Sequence, residues 1–127
     1  MNREHVLCVD DTPLVLNALQ RLLSENYEVT SASDAQTALL SLRANPDIRI
    51  ILADYTMPDV DGLTFLEEAR VVAPDTIRIL MTAWPDGRAI EHAIESGTIR
   101  RCLTKPFGAD EVNAVLAEAV AQLRAES

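Results

Sequence analysis

Five short apolar runs alternate strictly with five helical patterns along this chain, and no other feature restricts its fold as severely. Val6-Leu7-Cys8-Val9, Tyr27 to Ala32, Ile48 to Ala53, Ile77 to Met81 and the stretch around Arg101-Cys102-Leu103 have strand length and aliphatic or β-branched content. After Pro13, which suits the first turn of a helix, Val15, Leu16, Leu19, Leu22 and Leu23 recur at three- and four-residue steps. Ser33-Asp34-Ala35-Gln36 has the form of a capping box opening a second helix through about Arg43. Leu63, Phe65, Leu66 and Ala69 mark a third helix and Ala89 to Ile94 a short fourth. Val112, Leu116, Ala119, Val120 and Leu123 line one face of the last. Pro-, Gly- and Asp-rich breaks separate these units, among them Asn45-Pro46-Asp47, Ala73-Pro74-Asp75 and Trp84-Pro85-Asp86-Gly87.

Alternation of nearly continuous apolar strands with helices implies an α/β fold, a parallel sheet covered on both faces. Right-handed crossovers leave few topologies, and five strands favour the doubly wound, flavodoxin-like order 2-1-3-4-5 over the six-stranded Rossmann order. At 127 residues and 48% hydrophobic content the chain is expected to be a single domain over residues 1–127. There is no internal repeat, linker or low-complexity segment.

The ends of these strands carry the chemistry. The first closes in Asp10-Asp11, the third in Asp54, the fourth in Thr82 and the fifth at Lys105-Pro106. Ligands of open α/β sheets bind outside the carboxyl ends of the strands, where strand order reverses. With the first and third strands adjacent there, Asp10, Asp11 and Asp54 converge, and Thr82 and Lys105 lie along the rim. Helix capping alone needs only one Asp or Thr12, not a carboxylate pair. Two carboxylates about 4 Å apart repel by roughly 4 kcal/mol at an effective dielectric of 20, so three in one crevice call for cations or protonation. Lys105 supplies one positive charge, and a hard divalent ion such as Mg²⁺ suits the remainder, with a phosphate oxygen as the natural missing ligand. An Asp carboxylate is also a nucleophile toward phosphorus.

Charge and composition exclude several classes. Eleven Lys+Arg against twenty Asp+Glu give a formal charge of −9, which disfavours direct binding to nucleic acid or to an anionic membrane. The start, Met1-Asn2-Arg3-Glu4-His5, is charged and precedes only four apolar residues. It does not read as a signal peptide, no run has membrane length, and a cytoplasmic protein is expected. Cys8 and Cys102 lack metal or disulfide spacing and read as buried free thiols. His5 and His92 read as surface or satisfied histidines without a metal partner at helical spacing. Trp84, in the turn after Thr82, reads either as packing locally, the favoured reading, or as an exposed anchor for a partner.

Val9-Asp10-Asp11, Asp54-Tyr55-Thr56-Met57-Pro58 with Gly62, Thr82-Ala83 and Lys105-Pro106-Phe107 stand in the order and at the spacings of the receiver domain of two-component response regulators, which the chain resembles over nearly its whole length. The resemblance implies a phosphoacceptor signalling domain rather than an enzyme. Asp54 takes a phosphoryl group from a sensor histidine kinase, Asp11 binds Mg²⁺ directly, and Asp10 binds it largely through water. The Thr56 carbonyl completes the protein ligands, Lys105 pairs with the phosphoryl group, and Thr82 is the switch hydroxyl. It also implies a cis Lys105-Pro106 bond, and a homodimer or an output domain as further partner. Cys102 departs from the family, which usually holds an aromatic there that rotates with the switch hydroxyl.

Three rival readings remain. A Mg²⁺-dependent phosphohydrolase of the haloacid dehalogenase type wants a second Asp two residues after the nucleophile, where this chain has Thr56. A nucleotide- or flavin-binding module wants a glycine- or hydroxyl-rich first loop, not Asp10-Asp11-Thr12-Pro13. A receiver-like module working without phosphorylation has no need for all three acids, Thr82 and Lys105.

Overall fold

The computed structural model describes residues 3–126; Met1, Asn2 and Ser127, and with them the first two positions of the charged start, lie outside the described residues. The elements run β1 (His5–Val9), α1 (Pro13–Leu23), β2 (Glu28–Ala32), α2 (Ala35–Ala44), β3 (Ile48–Asp54), α3 (Gly62–Val72), β4 (Ile77–Thr82), α4 (Arg88–Glu95), β5 (Arg101–Thr104) and α5 (Ala109–Glu126). All strand pairs are parallel and the order is β2-β1-β3-β4-β5, as the alternation predicted.

Side chains alternate across each strand, so the sheet builds two cores. Leu7, Val9, Ile51, Ala53 and Leu80 face α2, α3 and α4, where Ala38, Leu42, Phe65, Leu66, Ile90 and Ala93 meet them. Val6, Cys8, Ile50, Leu52, Ile79 and Met81 face α1 and α5, against Leu19, Leu23, Val112, Leu116 and Leu123. Each Leu, Ile, Val, Phe or Met side chain among them, fully buried, stabilises the fold by about 1.5–3 kcal/mol relative to an exposed one. Among the described residues no helix is long and apolar enough to cross a membrane.

The start of α2 differs from the capping box expected at Ser33 and Gln36. Asp34 is the cap, and its carboxylate accepts from the Thr37 amide at 2.7 Å. The amides of Ala35 and Gln36 donate to Asp59, at 3.3 and 3.2 Å, from the loop before α3. A carboxylate from a distant loop thus takes two open amides of the first turn, including the Gln36 amide that the Ser33 hydroxyl was expected to serve.

Candidate functional site

Backbone hydrogen bonds that prolong the ladders past the strand ends fix where the polar residues stand. The Asp10 amide donates to the Ala32 carbonyl at 3.1 Å, the Tyr55 amide to Met81 at 2.9 Å, and the Lys105 amide to Thr82 at 2.8 Å. Asp10, Asp54, Thr82 and Lys105 are thereby held at one edge by the sheet itself. The Tyr55 carbonyl accepts from the Gly62 amide at 2.6 Å, and a Cβ added at Gly62 would lie 2.2 Å from the Asp54 carbonyl oxygen. Only glycine lets α3 begin this close to the end of β3. The Lys105-Pro106 bond is cis, as expected.

Asp10, Asp11 and Asp54 each bring a carboxylate oxygen within 4.8 Å of the others. Asp10 is fully buried, Asp54 is 8% exposed and Asp11 is open to solvent. Both Asp10 oxygens are engaged: Oδ1 accepts from the Thr12 amide at 2.9 Å and Oδ2 from Lys105 Nζ at 2.7 Å. Lys105 Nζ also lies 3.2 Å from Asp54 Oδ1 and so bridges the two acids.

The Asp54 carboxyl is pushed above the usual carboxylate range, first by burial and then by the Asp10 charge; the hydrogen bond and charge of Lys105 only partly oppose this. Burial pulls Lys105 down, but its hydrogen bonds to Asp10 and Asp54 and their charges outweigh that and raise it. One ammonium therefore does not neutralise the crevice. An all-oxygen donor set with surplus negative charge and an open side at Asp11 fits a hard divalent cation such as Mg²⁺.

Trp84 is exposed at 81%, against the expectation of local packing. Its amide is tied down, donating to Thr82 Oγ1 at 3.1 Å, while its ring lies at the rim of a hollow of about 420 Å³ also lined by Tyr55, Thr56, Thr82 and Ile90. The loop is thus anchored by its backbone, and the indole is left outside. Cys8 is buried and free as expected, whereas Cys102 is only partly buried because it lies on the edge strand β5. Thr56, whose carbonyl was expected near the metal, is the second residue after β3 and has an exposed side chain.

A family model described as the response regulator receiver domain matches residues 6–117. This chain belongs to the response regulator receiver family. The receiver is 32% identical over 115 residues to the hydrogenase transcriptional regulatory protein HoxA of Cupriavidus necator, covering 91% of this chain and 24% of that protein. It is also 32% identical over 117 residues to the regulatory protein AtoC of Escherichia coli, covering 91% and 25%. The chain therefore spans about a quarter of the length of these relatives. Among solved structures, the signal receiver domain of an HD domain-containing protein from Pseudomonas fluorescens Pf-5 matches with a TM-score of 0.87 at 35% identity, over 99% of this chain and 93% of that one. A CheY-like receiver domain protein from Methanospirillum hungatei shares the fold with a TM-score of 0.91 at 23% identity, over 99% and 100%.

Proposed function

We propose that this receiver accepts a phosphoryl group on Asp54 from the phosphohistidine of a sensor kinase, and that residues 1–127 act as one such module. The observation that carries this reading is the Asp54 carboxylate, raised by burial and by Asp10, within 3.2 Å of Lys105 at the carboxyl edge of the sheet. An Asp54 oxygen attacks phosphorus, a P–O bond forms, the P–N bond to imidazole breaks, and the imidazole leaves as a neutral ring after taking a proton.

Asp11 and Asp54 would hold Mg²⁺ directly, with the Thr56 carbonyl. Asp10, both of whose oxygens are already engaged, would act through water. A bound divalent cation supplies neutralisation of the transferring oxygens. Lys105 would exchange part of its contact with Asp10 and Asp54 for the new phosphoryl oxygens. Thr82 would turn its hydroxyl toward them, giving up the Trp84 amide that it now accepts. The relatives' names, a hydrogenase transcriptional regulator and AtoC, support a regulatory output located outside these residues, reached through a homodimer or an attached domain.

The test is intact mass and peptide mapping after incubation with Mg²⁺ and a small phosphodonor. One phosphoryl group on the peptide bearing Asp54, absent in Asp54→Asn, is expected. Modification at an undiminished rate in Asp54→Asn contradicts the assignment.

A further inference from the structure

At the end of the sheet opposite the acidic crevice, three elements bring together another set of ligand-type groups. His5 opens β1 and is 4% exposed. Its register partner on β2 is Glu28, and its partner on β3 is Ile48, the residue after Asp47. The next rung joins Val6 to Ile50, so β3 carries one extra residue, Arg49, at this point. Such bulges re-aim the side chains beside them. His5 Nδ1 lies 2.9 Å from Asp47 Oδ2, and a ring nitrogen of His5 with one carboxylate oxygen each of Glu28 and Asp47 forms a group of ligand atoms all within 4.8 Å of one another. On its other side, His5 Nε2 stands 2.6 Å from Thr30 Oγ1.

We propose that His5 Nδ1 and one carboxylate oxygen each from Glu28 and Asp47 form a second metal site, selective for a borderline divalent transition ion of the Zn²⁺ class. An imidazole with two carboxylates suits Zn²⁺ or Co²⁺ rather than Mg²⁺ or Ca²⁺, which take oxygen alone. Three protein ligands and one water complete a tetrahedron, whose ligand atoms stand about 3.4 Å apart for bonds of about 2.1 Å. The Nδ1 to Asp47 distance need open only slightly to admit the ion.

Two further features favour the site. A metal-bound histidine ordinarily donates its other ring N–H to an oxygen, and Thr30 Oγ1 is already in that place. With Nδ1 giving its lone pair to the ion, Nε2 carries the ring proton and the Thr30 hydroxyl accepts it. The charge balance is the other feature. Among the described residues Glu28 forms no ion pair and Asp47 pairs only with His5, so two carboxylates face a single imidazole. Both carboxylates are exposed, which gives an ion a way in, while the sheet ladders hold β2, β1 and β3 in place behind them.

The experiment titrates the whole chain with Co²⁺ in saturating Mg²⁺, following the visible absorption of a four-coordinate centre, with Zn²⁺ as competitor. One Co²⁺ per chain, displaced by Zn²⁺, is expected in the parent and equally in Asp54→Asn and Cys102→Ser. Its affinity should fall at least tenfold in Glu28→Gln and in Asp47→Asn, both exposed positions that leave the circular dichroism spectrum unchanged. Absence of the band, a band indifferent to both of those substitutions, or a band lost in Asp54→Asn or Cys102→Ser would overturn the proposal.

Discussion

Arg78 and the Asp10–Asp54 pair are ionisable groups buried toward opposite ends of this sheet, and the fold treats them in opposite ways. Toward the amino-terminal end, Arg78 interrupts the apolar run of β4 yet is only 7% exposed. Its Nε donates to the Thr98 carbonyl at 2.7 Å, one terminal nitrogen to the Thr76 carbonyl at 3.0 Å, and the other to the Gly97 carbonyl at 3.1 Å. All three guanidinium nitrogens thus donate to carbonyls, joining β4 to the segment between α4 and β5. At the carboxyl end, Asp10 and Asp54 share one lysine, and burial together with mutual repulsion holds Asp54 above its ordinary range. A charge bonded through all three of its nitrogens is a structural fastener; a charge left in excess is what the proposed cation and phosphoryl group would draw on.

The sharpest way to break this comparison is Arg78→Met, which leaves the carbonyls of Thr76, Gly97 and Thr98 without their donor. Each unsatisfied buried group costs about 1–3 kcal/mol, so a loss on the order of 3–4 kcal/mol in urea unfolding is expected, with phosphorylation retained in the molecules that remain folded. Gly62→Ala comes next. Its Cβ would press on the Asp54 carbonyl oxygen at 2.2 Å and on backbone atoms at 2.9 Å, none of them a yielding side chain. About 2–3 kcal/mol of destabilisation is expected, with slower phosphorylation because the backbone that carries Asp54 must shift.

Asp54→Asn has the opposite sign. It removes repulsion from Asp10 and also one contact of Lys105, for a net gain on the order of 1 kcal/mol in metal-free buffer near neutral pH. Because the folded carboxyl is raised, the native parent binds a proton that the unfolded chain has already released. That contribution to the parent's stability is present below the ordinary Asp range and is lost as pH rises through the raised folded value. The advantage of Asp54→Asn should therefore grow across that window and level off above it, and Mg²⁺ should shrink it by stabilising the parent. Parallel pH-dependent melting curves of the two proteins check this. The smallest effect belongs to Trp84→Ala: within about 0.5 kcal/mol of the parent in unfolding, as for other exposed positions, and, because alanine keeps the amide that donates to Thr82 Oγ1, with unchanged phosphorylation of Asp54 but weaker partner binding or dimerisation through loss of the exposed indole.

Legibility in the sequence followed the same division. Strand and helix placement came from periodicity, because burying both faces of a parallel sheet demands it, and each strand-end polar residue stood out against the apolar run it closed. Contacts that depend on register did not show. Arg78 sits among Ile77, Ile79 and Leu80 with nothing nearby in the chain to signal that carbonyls from Gly97 and Thr98 would receive it. His5 read as isolated because Thr30 and Asp47 lie 25 and 42 positions away and meet it only through the sheet and its bulge. The cap of α2 fell one residue late because Asp59 reaches it from another loop. Trp84 was misplaced for a related reason: a hydrogen bond to its backbone fixes the loop without burying the ring.

The most direct test of the account is a carbon-13 titration of the Asp54 side-chain carboxyl in metal-free protein and again with saturating Mg²⁺. The account predicts an apparent pKa above the ordinary Asp range without metal, moving down when Mg²⁺ binds. A carboxyl at or below that range in metal-free protein, with no response to Mg²⁺, would contradict the claim that this edge of the sheet is held in a state of unneutralised charge.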